Sequence, residues 1–173
     1  MEATQEETEA TAETIRENSW VMAKGRIPPD ERMEKGPVVV VECEEEIPCN
    51  PCVKACPVGA ITIEGNINNL PVVDFDVCTG CGLCIAGCPG LAIFVVHKNY
   101  RPDRGEGLVM LPYEFIPLPK KGDKVWGVDR NGKVVCEATV ERVLNTPKQD
   151  RTAIISVVVP SDLVMEVRNI KLK

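Results

Sequence analysis

The sequence predicts an α+β chain in which a doubled β-α-β core is preceded by an acidic arm and followed by a small, barrel-like, β-rich domain. Three observations carry that reading. A set of cysteines recurs 32 residues further along, from Cys49 to Cys81. Strand-like runs flank each copy, and a clean period-2 alternation is confined to the last third of the chain.

The arm spans residues 1–37. Residues 1–18 carry six Glu against one Arg and a single large apolar residue, Ile15, too little to build a core. Trp20, Val21 and Met22 follow, then Ile27-Pro28-Pro29 and Gly36-Pro37, which read as loop. Both a solvated tail and an arm lying over another surface fit this composition.

The core spans residues 38–98. Val38–Val41 and Val72–Phe75 read as the leading strands of the two copies, with Ile61–Ile63 and Ala92–Val96 as the closing ones. Val53–Ala55 and Leu83–Gly87 have room for one or two helical turns between the cysteines. Residues 99–112, rich in Gly, Pro and charge, read as a linker.

Residues 113–173 form the β-rich part. Val134, Cys136, Ala138 and Val140 alternate with Val135, Glu137, Thr139 and Glu141 as in a half-buried strand. Asn131-Gly132 predicts a type I′ hairpin turn back to Val125–Val128. Ala153–Val159, ended by Pro160, and Asn169–Leu172 supply further strands.

With 173 residues, 44% of them hydrophobic, the chain can bury an ordinary core. No run approaches the ~18 apolar residues of a membrane helix, and the first residues are acidic where a signal peptide is basic, so a cytoplasmic protein is expected. The net charge of −6, with no basic stripe, argues against nucleic acid as a partner. Residues 37–100 are net acidic and residues 120–173 net basic, a division compatible with docking on a protein and equally with a solvated surface.

Eight of the nine cysteines fall between Cys43 and Cys88. Such crowding suits metal, because several thiolates converge on one site without a long loop to close. Cys78-Thr-Gly-Cys81-Gly-Leu-Cys84-Ile-Ala-Gly-Cys88-Pro89 is C-x2-C-x2-C-x3-C-P without deviation. In this spacing three thiolates grip one [4Fe–4S] cluster and the fourth reaches the other. A zinc site needs two separated pairs of ligands, which this dense, repeated set does not offer.

The first copy departs from the pattern, since the repeat places Glu46 where Cys78 stands in the second. Three readings are open: Cys43 ligates through a longer loop, Glu46 ligates through oxygen, or the site holds three irons only. Thiolate softness favours Cys43. The expected sets are then Cys43, Cys49, Cys52 and Cys88 for one cluster, and Cys78, Cys81, Cys84 and Cys56 for the other. Cys136 is read as a core residue and His97 as a surface one, with Phe75 and Phe94 as packing beside the motifs.

Residues 38–98 resemble a bacterial-type two-cluster ferredoxin. Glu46-Ile47-Pro48-Cys49-Asn50-Pro51-Cys52 and Cys88-Pro89-Gly90-Leu91-Ala92-Ile93 resemble, more narrowly, the iron–sulfur subunits of multi-subunit FAD-dependent dehydrogenases of amino or imino acids such as proline and hydroxyproline. The resemblance implies a non-catalytic electron-transfer subunit, with FAD or FMN on flavoprotein partners. This chain has no G-x-G-x-x-G and no P-loop of its own. A free-standing ferredoxin with a partner-recognition domain and a subunit with purely structural clusters are the alternatives.

Overall fold

The structure is a computed structural model and describes residues 25–173. Trp20, Val21, Met22 and the acidic run before them lie outside the described residues.

The chain begins with a short helix, α1 (Asp30–Glu34), and then β1 (Val38–Val41). The first cysteine copy follows with α2 (Pro51–Ala55) and β2 (Ile61–Thr62), and the second with β3 (Val72–Val73) and α3 (Leu83–Gly87). The rest is strand: β4 (Ile93–Arg101), β5 (Glu106–Tyr113), β6 (Lys124–Val128), β7 (Val134–Leu144), β8 (Ala153–Pro160) and β9 (Asn169–Leu172). No helix among the described residues is long and apolar enough to cross a membrane.

Seven strands make one antiparallel sheet in the order β1-β4-β5-β8-β7-β6-β9, and β2 pairs β3 in a separate two-stranded ribbon. Four consecutive valines make β1 a strand that is buried on both faces. Val38 and Val40 point into one core and Val39 and Val41 into another. The same alternation runs along β4, with Phe94 and Val96 on the first side and Ile93 and Val95 on the second. Burying β-branched side chains on both faces of the two strands stabilises the junction by roughly 1.5–3 kcal/mol per side chain.

The first core, enclosed by the curling strands, holds Val109, Leu111, Val125, Val140, Ile155, Val157 and Ile170. β9 returns against β5 without bonding to it, so the sheet curls without closing into a barrel. The second core holds Cys52, Cys84, Ile61, Val73 and Ile85.

Three expectations need correction. Residues 99–112 are not a linker: they complete β4, turn through a single 3₁₀ turn at Pro102–Arg104 and run back as β5. Pro102, Asp103, Arg104 and Gly105 mark the hairpin tip, where Gly105 takes a left-handed φ of +64°, while Gly107 and Pro112 lie within β5 itself. Residues 113–173 therefore do not build a sheet of their own, because β5 carries the sheet from β4 directly to β8.

The β6–β7 turn is not type I′ either. Asn131 keeps a negative φ and only Gly132 is left-handed, at +77°. The Asp129 carboxylate accepts from the N–H groups of Asn131 (2.8 Å) and Lys133 (2.9 Å), which draws the hairpin into a longer loop. Finally, the strand expected over Val72–Phe75 stops at Val73. Asp74 Oδ1 accepts from Asp76 N (3.0 Å) and Val77 N (3.3 Å), turning the chain toward Cys78.

One ion cluster ties the end of β1 to the C-terminal strands. Glu42 follows β1 directly; its carboxylate accepts from Arg168 Nε at 2.7 Å and from Arg130 Nε at 3.0 Å. The Glu42 and Arg168 side chains are only 5% and 3% exposed, and Arg168 also stacks on Phe94 at 5.0 Å. Glu42→Ala should strand Arg168 as a buried, unpaired cation and lower the unfolding free energy by about 3–5 kcal/mol. A urea midpoint measured on metal-loaded protein checks this. The paired replacement Glu42→Leu with Arg168→Met should recover most of the loss.

Candidate metal centre

Each cysteine copy is built the same way. A loop brings the chain to a single turn of helix, the helix carries one cysteine inward, and the next cysteine caps it in an extended conformation. Cys52 lies in α2 and Cys84 in α3, both buried. Cys56 and Cys88 follow the two helices with φ, ψ of −81°, 111° and −89°, 111°, which turn both out of the helical path. Pro57 and Pro89 follow them.

As a result the thiols gather in two places, and each copy contributes to both. Cys43, Cys49, Cys52 and Cys88 line one cavity, walled by Val41, Ile93 and Pro71. Cys56, Cys78, Cys81 and Cys84 line the other, walled by Val39, Val95 and Ile61. Glu46 is exposed and lines neither, whereas Glu45 lies at the edge of the first. His97 and Cys136 also line neither. His97 is half-buried in β4, with its ring edge-on to Tyr100 at 5.6 Å, and Cys136 packs against the first core.

Burial first, and then the other thiols of the same cavity, perturb Cys49, Cys52 and Cys84. Burial pushes Cys84 up to about 12, helped by the nearby Cys81, Cys78 and Cys56. Burial, then Cys88, with smaller contributions from Cys49 and Cys43, brings Cys52 to about 11, although an N–H from Val53 opposes them. Cys49 is raised by burial, then by Cys88 and Cys43. For Cys56 burial also acts upward, but the N–H groups of Val58, Ala60, Ile61 and Gly59 outweigh it and the thiol is lowered. Ala60 N donates to its Sγ at 3.2 Å, and Gly80 N donates to Cys78 Sγ at 3.4 Å.

Four soft thiols per cavity, apolar walls and N–H groups aimed at sulfur fit an iron–sulfur cluster. Among the described residues no group of three or more His, Cys, Asp or Glu is gathered so that it could hold a single metal ion. Thiols spread around a cavity suit a cluster, in which each iron takes its own thiolate.

The glycines of the second motif divide their work. Gly80 and Gly82 take left-handed φ of +65° and +78°, and a Cβ on Gly80 would sit 2.5 Å from the Pro37 carbonyl oxygen. Gly87 has no such φ; its hydrogen lets α3 approach α2, where a Cβ would meet that of Ala55 at 2.8 Å. Leu91 stands at the repeat position of Gly59 and shares its left-handed φ, at +53° against +69°.

Two residues without any signal in the sequence complete the site. Arg26 Nη1 donates to the Cys43 carbonyl. Arg32 Nη2 donates to the Cys78 carbonyl at 2.8 Å.

Residues 47–92 match the 4Fe–4S dicluster domain family. An uncharacterized ferredoxin of Methanocaldococcus jannaschii is 37% identical over 62 residues, 36% of this chain and 36% of that protein. A polysulfide reductase chain of Wolinella succinogenes is 38% identical over 64 residues, 37% of this chain and 30% of the relative. A selenate reductase subunit of Mesobacillus selenatarsenatis is 38% identical over 91 residues, 52% of this chain and 26% of the relative. The matched part thus spans about a third or less of the length of these relatives. No solved structure matches it. The chain carries a 4Fe–4S ferredoxin-type domain.

Gly80→Ala should weaken the second cavity more than Gly59→Ala weakens its own surroundings. Both positions carry the ~1–2 kcal/mol penalty of a left-handed alanine, but Gly59 has open space around it and Gly80 faces the Pro37 backbone. Iron-release rates and unfolding midpoints of the two variants check the order.

Proposed function

We propose that this chain is a two-cluster electron-transfer subunit of an oxidoreductase complex. One [4Fe–4S] cluster is held by Cys43, Cys49, Cys52 and Cys88, the other by Cys56, Cys78, Cys81 and Cys84. The observation that supports this best is the division of eight cysteines into two cavities, four and four, with one thiol of each helical copy crossing to the other cavity. When bound, the clusters supply sites that take up and release one electron at a time.

The residues of the chain do the holding and the insulating. Val39, Val95 and Ile61 line the second cavity, and Val41 and Ile93 the first, keeping water from the sulfurs. N–H groups from Ala60 and Gly80 offset negative charge on Cys56 and Cys78. Cys81 is the one exposed cysteine among the eight and opens the second cavity to the surface beside Leu83, which is also exposed. That face is the exit for electrons in this reading.

The relatives named as reductase subunits support a place in a larger complex. From the resemblance of the cysteine motifs, the partners are flavoprotein subunits carrying FAD or FMN, in a cytoplasmic amino- or imino-acid dehydrogenase. Residues 38–98 bear the clusters, while the arm and residues 113–173 face the partners.

Protein prepared without oxygen should hold about eight irons and eight sulfides per chain. Cys43→Ala should lose one cluster or convert it to three irons, and Glu46→Ala should leave the iron unchanged. Iron and sulfide analysis with electron paramagnetic resonance of the reduced protein checks both. Stoichiometric zinc without iron would sink the cluster assignment. Elution of the native chain free of flavin-bearing subunits would instead favour a free-standing carrier.

A further inference from the structure

The segment before β1 does more than lead into the sheet. Its backbone is bonded on both sides: Gly25 O accepts from Val73 N at 2.6 Å and Arg26 O accepts from Val41 N at 3.1 Å. It therefore bridges β1 and the β2–β3 ribbon, which lie beside the cysteine cavities. From this position Arg26, itself buried, sends its guanidinium to the carbonyl of Cys43.

Six residues later the arrangement is repeated for the other cavity. Arg32, on α1, donates through Nε to Phe75 O at 2.7 Å and through Nη2 to Cys78 O at 2.8 Å and Pro37 O at 3.1 Å. Its Nη1 reaches Gly36 O at 3.3 Å. Cys43 and Cys78 are the cysteines that open the two motifs, and each has its carbonyl taken by a guanidinium from the same segment.

Every side-chain partner of these two arginines among the described residues is a carbonyl oxygen. The ion pairs among the described residues engage Lys98, Arg101, Arg104, Lys121, Arg130, Arg168 and Lys173, and none involves Arg26 or Arg32. A carbonyl fixes a guanidinium in place without cancelling its charge. Among the described residues each cavity thereby has a guanidinium fixed at the backbone carbonyl of its leading cysteine. The acidic neighbours, Glu44 and Glu45 beside Cys43 and Asp74 and Asp76 before Cys78, bond to neither guanidinium.

We propose that Arg26 and Arg32 are positioning residues that hold the leading cysteines of the two clusters and set the two potentials separately, Arg26 for the Cys43 site and Arg32 for the Cys78 site. The inference rests on the cluster assignment above. Reduction adds one negative charge to a cluster, so a fixed cation nearby favours the reduced form and raises the potential.

The test is a potentiometric titration of the whole chain, loaded without oxygen and followed by electron paramagnetic resonance, on Arg26→Gln, Arg32→Gln and the corresponding Lys variants. Each Gln variant should shift one of the two potentials downward and leave the other in place, and the two variants should shift different ones. The Lys variants should stay closer to the parent potentials, because they keep the charge. Unchanged potentials in both Gln variants at full iron content would overturn the proposal, as would a shift of the same cluster by both. If a Gln variant loses iron, its Lys counterpart decides: retained iron with a near-parent potential supports the proposal, and equal loss in both reduces the arginine to a structural support. Failure of the underlying assignment shows elsewhere, as a parent chain without two reducible clusters.

Discussion

The described residues are arranged about a sheet that is buried on both faces where β1 and β4 run together. The two strands are short of polar side chains at the junction, and their valines, Phe94 and Ile93 alternate between two cores. On one side the sheet continues and curls around an aliphatic interior. On the other it is covered by two single-turn helices and a two-stranded ribbon, too small to bury a core alone. The cysteines lie in that thin layer, and the strands behind them supply the apolar wall it lacks.

The wall is not built from the repeat alone. Met110 of β5, Leu144 of β7 and Ile154 of β8 reach into the cysteine side of the partition. Met110 lies so close to Gly82 that a Cβ there would meet its terminal methyl at 2.6 Å. Burial from both sources, with the neighbouring thiols, pushes Cys52 and Cys84 above the ordinary thiol range. Of the proposed ligands, only Cys78 packs against the aliphatic core on the far side; the others lie on the cysteine side of the partition.

The parts legible in the sequence are those with a local signal. Cysteine spacing marks the two copies, and the period-2 or continuous apolar runs mark β7, β8 and β9, the last over the same residues that the structure shows. What the sequence hides is pairing at a distance. The strand β5 passes for linker because Pro102, Gly105 and Gly107 stand in and beside it. Gly107 is there for another reason, the close approach of Val164. The register shift between Val140 and Arg142 in β7 breaks the alternation that made the strand recognisable. Arg26 and Arg32 leave no trace at all, since a guanidinium that binds backbone carbonyls needs no partner side chain to advertise it.

The continuity of the sheet through β4, β5 and β8 has a mechanical meaning. Carriers that ferry charge on a flexible tether depend on a joint between the redox head and the part that is anchored. Here hydrogen-bonded strands run from the wall of the cysteine cavities to the outer edge at β9, and the Glu42–Arg168 pair braces the same span. A body gripping that outer edge holds the cysteine layer at one separation and one angle. Under the proposed electron-transfer role, geometry at the docked surface would set the tunnelling distance, with the described residues acting as a strut rather than a swinging arm.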